Sequence, residues 1–187
     1  MPTAYRAAYP GKHNQLVKSV TTNSNGHLLE SFTKYAADFD FGQDSTLVCY
    51  QFDQVTNDCT AEGYEYSNHV PVDQEAKGIY QLKEKHVING FVESISKQND
   101  NITSASYQTY YPETTTDAKA GLPKSNYVIE NIPRSSMIEA NFTNGNWSKD
   151  ADYDQKSTVE KYNLWGLPIQ MTDKYGATSK IDYDFTN

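Results

Sequence analysis

The sequence predicts a mainly β protein in which antiparallel hairpin repeats form a twisted strip, with one short helix near residues 73–87. Three observations predict this fold class. The C-terminal segment alternates between apolar and polar residues, its turn chemistry recurs elsewhere in the chain, and tyrosine is abundant, at 15 of 187 residues. Tyrosine suits half-exposed strands because its ring covers apolar surface while its hydroxyl stays in water.

The C-terminal segment is the clearest hairpin. Successive residues of a strand point to opposite faces, so a period of two predicts one buried and one wet face. The face expected to be buried holds Ala177, Ser179, Ile181, Tyr183 and Phe185, and the other holds Thr178, Lys180, Asp182 and Asp184. Asp173 to Gly176 supply the turn, since glycine takes a positive φ at no steric cost.

Three earlier segments carry weaker copies of this pattern. The first runs from Gly11 to Tyr35 around the turn 23–26, and the second from Gly90 to Tyr107 around the turn 98–101. The third begins with the tripeptide 121–123, Gly-Leu-Pro, which recurs at 166–168. Any antiparallel protein has hairpins with Gly and Asn in their turns, so one early copy alone does not establish a repeat. Four copies in one chain favour an array.

The C-terminal motif combines the tripeptide Gly166, Leu167 and Pro168, a turn between Asp173 and Gly176, and a strand that closes on Tyr183 and Asp184. This arrangement resembles the RHS or YD-repeat family. The middle of the chain is similar to degenerate arrays in large surface or secreted proteins of the Bacteroidetes group. The likeness is good over 162–185, loose over 11–35 and 85–123, and poor over 41–74.

The resemblance implies a strip of antiparallel hairpins that spirals, in full-length members, into a hollow shell around a C-terminal toxin domain, or that serves as a surface filament or adhesin. It implies neighbouring repeats as partners and a secreted or cell-surface location. We therefore expect residues 1–187 to form a single β-repeat region, a fragment of a larger repeat protein. The chain lacks the terminal core segment with its Asp-Pro self-cleavage site, so no toxin payload or maturation is assigned to it.

Composition disfavours several classes of function. A net charge of −8, with 16 scattered basic residues, disfavours binding to nucleic acid or to an anionic membrane. No apolar run approaches the roughly 20 residues of a membrane-spanning helix, so no membrane insertion is expected. The N-terminus lacks the apolar core of a signal peptide.

Cys49 and Cys59 lie ten residues apart on either side of a turn expected at 53–57. They belong to an expected strand pair, 45–52 and 59–66. A disulfide and a pair of small buried thiols both fit this arrangement. A zinc site is disfavoured because no Cys-x-x-Cys or close pair of histidines accompanies the two cysteines.

The segment 73–87 is the helix candidate. Asp73 is placed to cap it, and Ala76, Ile79, Leu82 and His86 are spaced to share one face. Gly78 weakens the helix. The segments 114–119 and 144–153 are interpreted as polar loops.

No catalytic, metal or cofactor site is predicted. The four histidines lie in four different segments, and no phosphate-binding loop, dinucleotide fingerprint or nucleophile elbow occurs. The alternating carboxylates Asp150, Asp152 and Asp154 are interpreted as a solvated face rather than a calcium site, because the glycine and the final glutamate of an EF-hand loop are missing. We therefore expect a protein that is not an enzyme.

The function expected first is therefore structural: the chain is a non-catalytic β-repeat segment of an RHS-like shell or surface scaffold. The alternative is a carbohydrate-binding or adhesive β-module that uses exposed aromatic residues. Trp147, in an expected loop, is the leading candidate for stacking on a glycan. Trp165 precedes the repeat glycine and is expected to pack on a neighbouring hairpin.

Overall fold

The computed structural model describes residues 3–6, 15–53, 58–87, 89–112 and 119–183 of the chain. The strands in chain order are β1 (Thr3–Arg6), β2 (Leu16–Thr22), β3 (Leu28–Tyr35), β4 (Gln43–Asp53), β5 (Asp58–Asn68), β6 (Phe91–Gln98), β7 (Asn101–Tyr110), β8 (Pro123–Ile129), β9 (Asn141–Thr143), β10 (Asn146–Ser148), β11 (Tyr153–Tyr162), β12 (Pro168–Asp173) and β13 (Thr178–Lys180). A 3-10 helix covers Ala36–Asp38 and the α-helix α1 covers Gln74–Glu84.

Nine strands form one antiparallel sheet in the order β1-β2-β3-β6-β7-β8-β11-β12-β13. The two remaining strand pairs, β4–β5 and β9–β10, are separate two-stranded ribbons. The predicted class, a mainly β antiparallel fold with one helix, is confirmed.

Four hairpins tile most of this sheet. We call them unit 1 (β2–β3), unit 2 (β6–β7), unit 3 (β8–β11) and unit 4 (β12–β13). Each unit coincides with one of the segments that carry the repeated pattern in the sequence. The return strand of unit 3 is β11, which lies beyond an insertion at 130–152, so the hairpin is not visible as a contiguous pattern.

Two insertions lie outside the sheet. Residues 36–90, between units 1 and 2, hold the 3-10 helix, the β4–β5 ribbon and α1, whereas the insertion within unit 3 holds the β9–β10 hairpin. The loop predicted at 144–153 is present only in part: Asn144 and Gly145 form a tight turn with positive φ and 149–152 lie outside the strands, whereas 146–148 form β10 and Tyr153 begins β11. Of the loop predicted at 114–119, all but Lys119 lies outside the described residues.

The helix α1 begins at Gln74, directly after the predicted cap Asp73. The Asp73 carboxylate accepts hydrogen bonds from the backbone N–H groups of Glu75 and Ala76, which have no partner within the first helical turn. Ala76, Ile79 and Leu82 are buried as expected. His86 is exposed with a φ of 54°, because the helix ends at Glu84, so its assignment to the buried face is wrong.

Gly78 is required by packing. A Cβ atom at this position would lie 2.3 Å from the backbone oxygen of Tyr110, the last residue of β7. The helix therefore lies against the end of β7 at a distance that only glycine permits.

The buried core lies between the middle of the sheet and the two insertions. It comprises Ala36, Phe39, Phe41, Ala76, Ile79, Leu82, Val92, Ile95, Ile102, Ala105, Tyr107, Tyr110, Ile129, Ala140, Phe142 and Tyr153. Apolar burial of this kind is the main favourable contribution to folding. The sheet is thus covered at its centre.

The last strand is more exposed than its alternation predicts. Ala177 and Ser179 are exposed, Ile181 is half-buried and Tyr183 is 37% exposed. The reason is that β13 lies at the edge of the sheet, beyond the insertions that cover the centre. Asp184 and Phe185 lie outside the described residues.

Candidate functional site in the repeated hairpin units

The connection between β11 and β12 is a tight turn organised by Asn163. Its side-chain oxygen accepts hydrogen bonds from the backbone N–H groups of Trp165 at 3.0 Å and Leu167 at 2.9 Å. Its own N–H donates to the Leu167 carbonyl, and Gly166, at a φ of 76°, donates back to the Asn163 carbonyl. Asparagine and glycine are favoured here because the first satisfies turn amides and the second adopts a left-handed conformation.

Two other turns repeat this geometry bond for bond. In the turn within unit 4, the Asp173 carboxylate accepts from the second and fourth following amides at 2.9 and 2.8 Å, and Gly176 has a φ of 85°. In the turn within unit 1, Asn23 accepts the equivalent pair of bonds at 3.0 Å each, and Gly26 has a φ of 79°. The common signal is Asn or Asp followed by glycine three residues later. Of the predicted repeat residues, Gly176 is thus equivalent to Gly166, and Asp173 is equivalent to Asn163.

A tyrosine closes each of the four units in the same way. Its hydroxyl donates to the backbone carbonyl of the first residue of the partner strand, and we call this contact the tyrosine latch. The latches are Tyr35 to Leu16, Tyr110 to Phe91, Tyr162 to Pro123 and Tyr183 to Pro168. The donor and acceptor are 19, 19, 39 and 15 residues apart, because the hairpins differ in length and one contains an insertion.

Three of the latch tyrosines, Tyr35, Tyr110 and Tyr162, are held as hydrogen-bond donors. Burial, and the neighbouring Tyr162, raise the pKa of Tyr110 above its usual range, and burial with the neighbouring Tyr111 raises that of Tyr162. Burial and the nearby Asp38 carboxylate raise the pKa of Tyr35 in the same direction. A phenol whose ionisation is disfavoured keeps its proton and donates it to the carbonyl.

The Gly-Leu-Pro tripeptides mark the start of units 3 and 4. Pro123 and Pro168 are the first residues of their strands, a position that tolerates a residue without an N–H. A Cβ atom on Gly166 would lie 3.5 Å from the Leu122 side chain, so leucine of one tripeptide packs beside glycine of the next. This contact joins units 3 and 4.

The two tryptophans have the opposite environments from those expected: Trp147 is packed and Trp165 is exposed. Trp147 lies in β10 with its ring between Phe39, 5.2 Å away, and Tyr107, 6.2 Å away, so the expectation that it is an accessible loop residue is wrong. Trp165 is 73% exposed, and it lines a groove of about 430 Å³ together with Tyr183. Trp147 packs against other aromatic rings because it belongs to the β9–β10 hairpin. Trp165 is exposed to solvent because it lies in the turn that Asn163 organises.

A buried carboxylate ties the insertion of unit 3 to the sheet. Glu93 accepts hydrogen bonds from the Ala140 N–H at 2.9 Å and from the Tyr153 hydroxyl at 2.8 Å, and it faces the Lys34 ammonium group at 3.6 Å. Burial raises the pKa of Glu93, although these contacts oppose the rise. The group lines a cavity of about 340 Å³ with Phe32 and other side chains. Because its oxygens already accept protein donors, we assign it a structural role.

A second polar cluster joins the helix and β10 to the sheet. Tyr107 donates to Glu75 at 3.0 Å, and Lys149 forms an ion pair with the same carboxylate at 2.9 Å. The Lys149 ammonium group also lies 4.8 and 4.5 Å from the ring centres of Tyr107 and Tyr127, distances suited to cation–π attraction. This cluster stabilises the insertions on the sheet.

Cys49 and Cys59 are joined in a disulfide across the β4–β5 ribbon. The strand pair expected at 45–52 and 59–66 is present with slightly wider bounds. The region with the poorest likeness to the repeat pattern thus forms a ribbon outside the sheet.

The alternating aspartates do not converge on one point. Asp150 and Asp152 both pair with Arg134, at 3.2 and 2.9 Å, whereas Asp154 pairs with Lys156 and Lys174. In the part of the chain that the structure describes, no three His, Cys, Asp or Glu side chains form a group suited to a metal ion. No helix within the described ranges has the length and apolar character of a membrane span.

Sequence reasoning missed the latches, the capping side chains of Asn23 and Asn163, and the buried Glu93. The turn caps had a visible signal, Asn or Asp three residues before glycine. The latches had a weaker one, a tyrosine that ends the return strand of units 1 to 3 and lies three residues beyond it in unit 4. Comparison of the chain with known protein families, curated proteins and solved structures gives no match.

Proposed function

We propose that the chain is a structural β-repeat segment of an RHS-like shell or surface scaffold and has no catalytic role. The observation that carries the proposal is the tyrosine latch, which recurs in four consecutive hairpins of one sheet. A contact that recurs once per hairpin indicates a repeated unit of construction. The repeated turns of units 1 and 4 support the same interpretation.

The polar groups at these positions act on the chain's own backbone. The latch hydroxyls donate to carbonyls, and the turn caps Asn23, Asn163 and Asp173 accept from backbone amides. Each unit then pairs with its neighbour through strand hydrogen bonds, so stability is approximately a sum over units and the joints between them. Neighbouring repeats are the partners that such an array requires.

The sheet offers a place for growth. Among the described residues, β13 pairs with β12 on one side and has no strand on the other. A strand at a sheet edge presents N–H and C=O groups to which another strand can pair. A further unit of the same kind would continue the ladder there.

Duplication of the last repeat tests the proposal. A second copy of residues 163–183, inserted after Tyr183, is expected to add a latched hairpin and to slow hydrogen exchange of the β13 amides. The control inserts the same residues in scrambled order, which should leave β13 exchange unchanged. If the copy with the native sequence stays unfolded and hydrogen exchange of the β13 amides is unaltered, the proposal of a repeat array is contradicted. Protease treatment of intact source cells tests the secreted or cell-surface location.

A carbohydrate-binding role is the second candidate, and the exposed Trp165 favours it. The groove that Trp165 shares with Tyr183 also contains Gln170 and Asp182, a combination of aromatic surface and hydrogen-bonding groups suited to a sugar. A glycan array should then show binding that Trp165→Ala abolishes. Tyr175→Ala is the matched control, because Tyr175 is 83% exposed and does not line the groove. Absence of glycan binding would leave the groove as a packing surface for a further hairpin.

A further inference from the structure

A cavity of about 340 Å³ lies between the sheet and the two insertions. Neighbouring residues of β3 and β6 form its floor, and its walls include Phe39, which follows the 3-10 helix, and residues of the insertion in unit 3. Protein interiors contain few spaces larger than a water molecule, because apolar walls without contact partners cost stability. The volume falls in the range of about 300–1,000 Å³ that small-molecule sites occupy. The cavity therefore suits a small ligand.

The floor of the cavity has an apolar half and a charged half. Phe32 of β3 lies opposite Ile95 of β6, and Lys34 lies opposite Glu93 two residues away along the same strands. Residues two apart in a strand share one face, and all four side chains line the cavity. Such a floor fits a molecule with an apolar body and one polar end.

The ammonium group of Lys34 has one fixed and one exchangeable carboxylate partner. It donates to the Ala140 carbonyl at 2.9 Å and pairs with Glu139 at 2.8 Å and Glu93 at 3.6 Å. Glu93 is buried and also accepts from Ala140 and Tyr153, so its position is fixed. The Glu139 side chain is 53% exposed, and among the described residues its one ion pair is with Lys34. An ion pair with an exposed partner stabilises little, so another carboxylate can replace Glu139.

We propose that the cavity binds a small carboxylic acid. Its carboxylate replaces that of Glu139 on Lys34, and its apolar body lies on Phe32 and Ile95. The exchange substitutes one carboxylate for another, so the charge around Lys34 is unchanged and the buried Glu93 keeps its partner. An alcohol would give the ammonium group a weaker partner, because hydrogen bonds between two charged groups are the stronger ones.

An amine fits the same cavity less well. It would have to share Glu139 with Lys34, whose like charge lies 2.8 Å from that carboxylate. The other carboxylates near the cavity are already engaged, since Asp38 accepts from the Tyr35 N–H at 2.8 Å and Glu30 pairs with Lys18 at 2.9 Å. The ring of Phe32, on the apolar half, already has two ammonium groups within about 5 Å of its centre, those of Lys18 and Lys97.

Calorimetric titration of the full-length protein with three matched compounds tests the proposal. The compounds 3-phenylpropanoate, 3-phenylpropanol and 3-phenylpropylamine share an apolar body and differ in the polar end. Glu139→Gln removes the competing carboxylate, and Glu160→Gln, at an exposed position outside the cavity, is the control with the same net charge. Lys34→Met removes the ammonium group and keeps an apolar side chain. Because Glu139 is exposed, its replacement keeps the proposal testable even if Lys34→Met does not fold.

We expect the acid to bind with a Kd of about 0.1–1 mM, as suits a ligand of this size, and the alcohol and the amine to bind at least about tenfold more weakly. Glu139→Gln should tighten binding of the acid about two- to fivefold, the range that an exposed ion pair allows, and Glu160→Gln should leave it unchanged. Lys34→Met should weaken it at least about tenfold.

Three results would overturn the proposal. The first is tighter binding of the amine than of the acid, or weaker binding of the acid to Glu139→Gln, because either would identify the carboxylates as the binding groups. The second is equal binding of the three compounds, which would show an apolar cavity in which Lys34 plays no part. The third is the absence of binding by all three.

Discussion

Replacing Gly78 with alanine tests how closely the helix approaches the sheet. The new Cβ would lie 2.3 Å from the Tyr110 carbonyl oxygen and 2.9 Å from its carbon, whereas ordinary contacts begin at 3.4 Å. The obstacle is backbone in a central strand, so the helix must move away by about 1 Å, which disturbs the packing of Ile79 and Leu82. Overpacking of this kind costs about 1–3 kcal/mol, and a contact with rigid backbone favours the upper end.

Helix propensity acts in the opposite direction. Alanine is favoured over glycine inside a helix by about 1 kcal/mol, so the net loss should be about 2 kcal/mol of the free energy of unfolding. Urea unfolding followed by circular dichroism measures it. The pair Lys77→Ala and Lys77→Gly, one residue away, reports the propensity difference for this helix without the close contact. If Gly78→Ala instead stabilises the protein by about 1 kcal/mol, the helix does not lie against the Tyr110 carbonyl and the packing argument fails.

Other predictions concern the latches, the buried carboxylate and the tryptophans. Tyr110→Phe should lower the free energy of unfolding by about 1–2 kcal/mol because Tyr110 is buried and the hydrogen bond that it makes is partly buried. Tyr183→Phe, at an exposed latch, should cost less than about 0.5 kcal/mol. Urea unfolding that ranks the two in reverse order would contradict this. Burial raises the folded-state pKa of Glu93 above its ordinary value of 4.5. Relative to Glu93→Gln, the wild-type protein should therefore be most stable below that value and lose stability as pH rises through the folded-state pKa, and a difference that is flat with pH would refute the assignment. Trp147→Ala should cost on the order of 3 kcal/mol and Trp165→Ala less than about 0.5 kcal/mol, as measured by thermal or urea unfolding, and equal costs would show that the two rings are packed alike.

The local parts of the fold could be predicted from the sequence. The turns at Asp173 and Gly176, the cap at Asp73 and the alternation of the strands depend on residues within a few positions of each other, so a single segment contains the information. Units 1, 2 and 4 follow from these signals, whereas unit 3 does not, because its two strands are separated by the insertion at 130–152. The exposure of the edge strand β13 does not follow either, because alternation defines two faces but does not reveal whether another element covers one of them.

The contacts between distant segments could not be predicted in this way. The Tyr162 latch depends on which carbonyl lies across the sheet, and its partner Pro123 is 39 residues away. Trp147 lies in a short strand of polar residues with weak β propensity, and packing against Phe39 and Tyr107 overrides that preference. Glu93 is a charged residue in a strand, and only the distant Ala140, Tyr153 and Lys34 explain its burial.

The insertion between units 1 and 2 has a consequence for the order in which the sheet assembles. Its two ends meet in a hydrogen bond from the Ala36 N–H to the Gly90 carbonyl at 2.8 Å. The chain between them is roughly tenfold longer than the tight turn between units 3 and 4, so closing this joint costs about 2 kcal/mol more in loop entropy. We therefore expect the joint of units 3 and 4 to form early in folding, from neighbouring residues, and β3 and β6 to pair later.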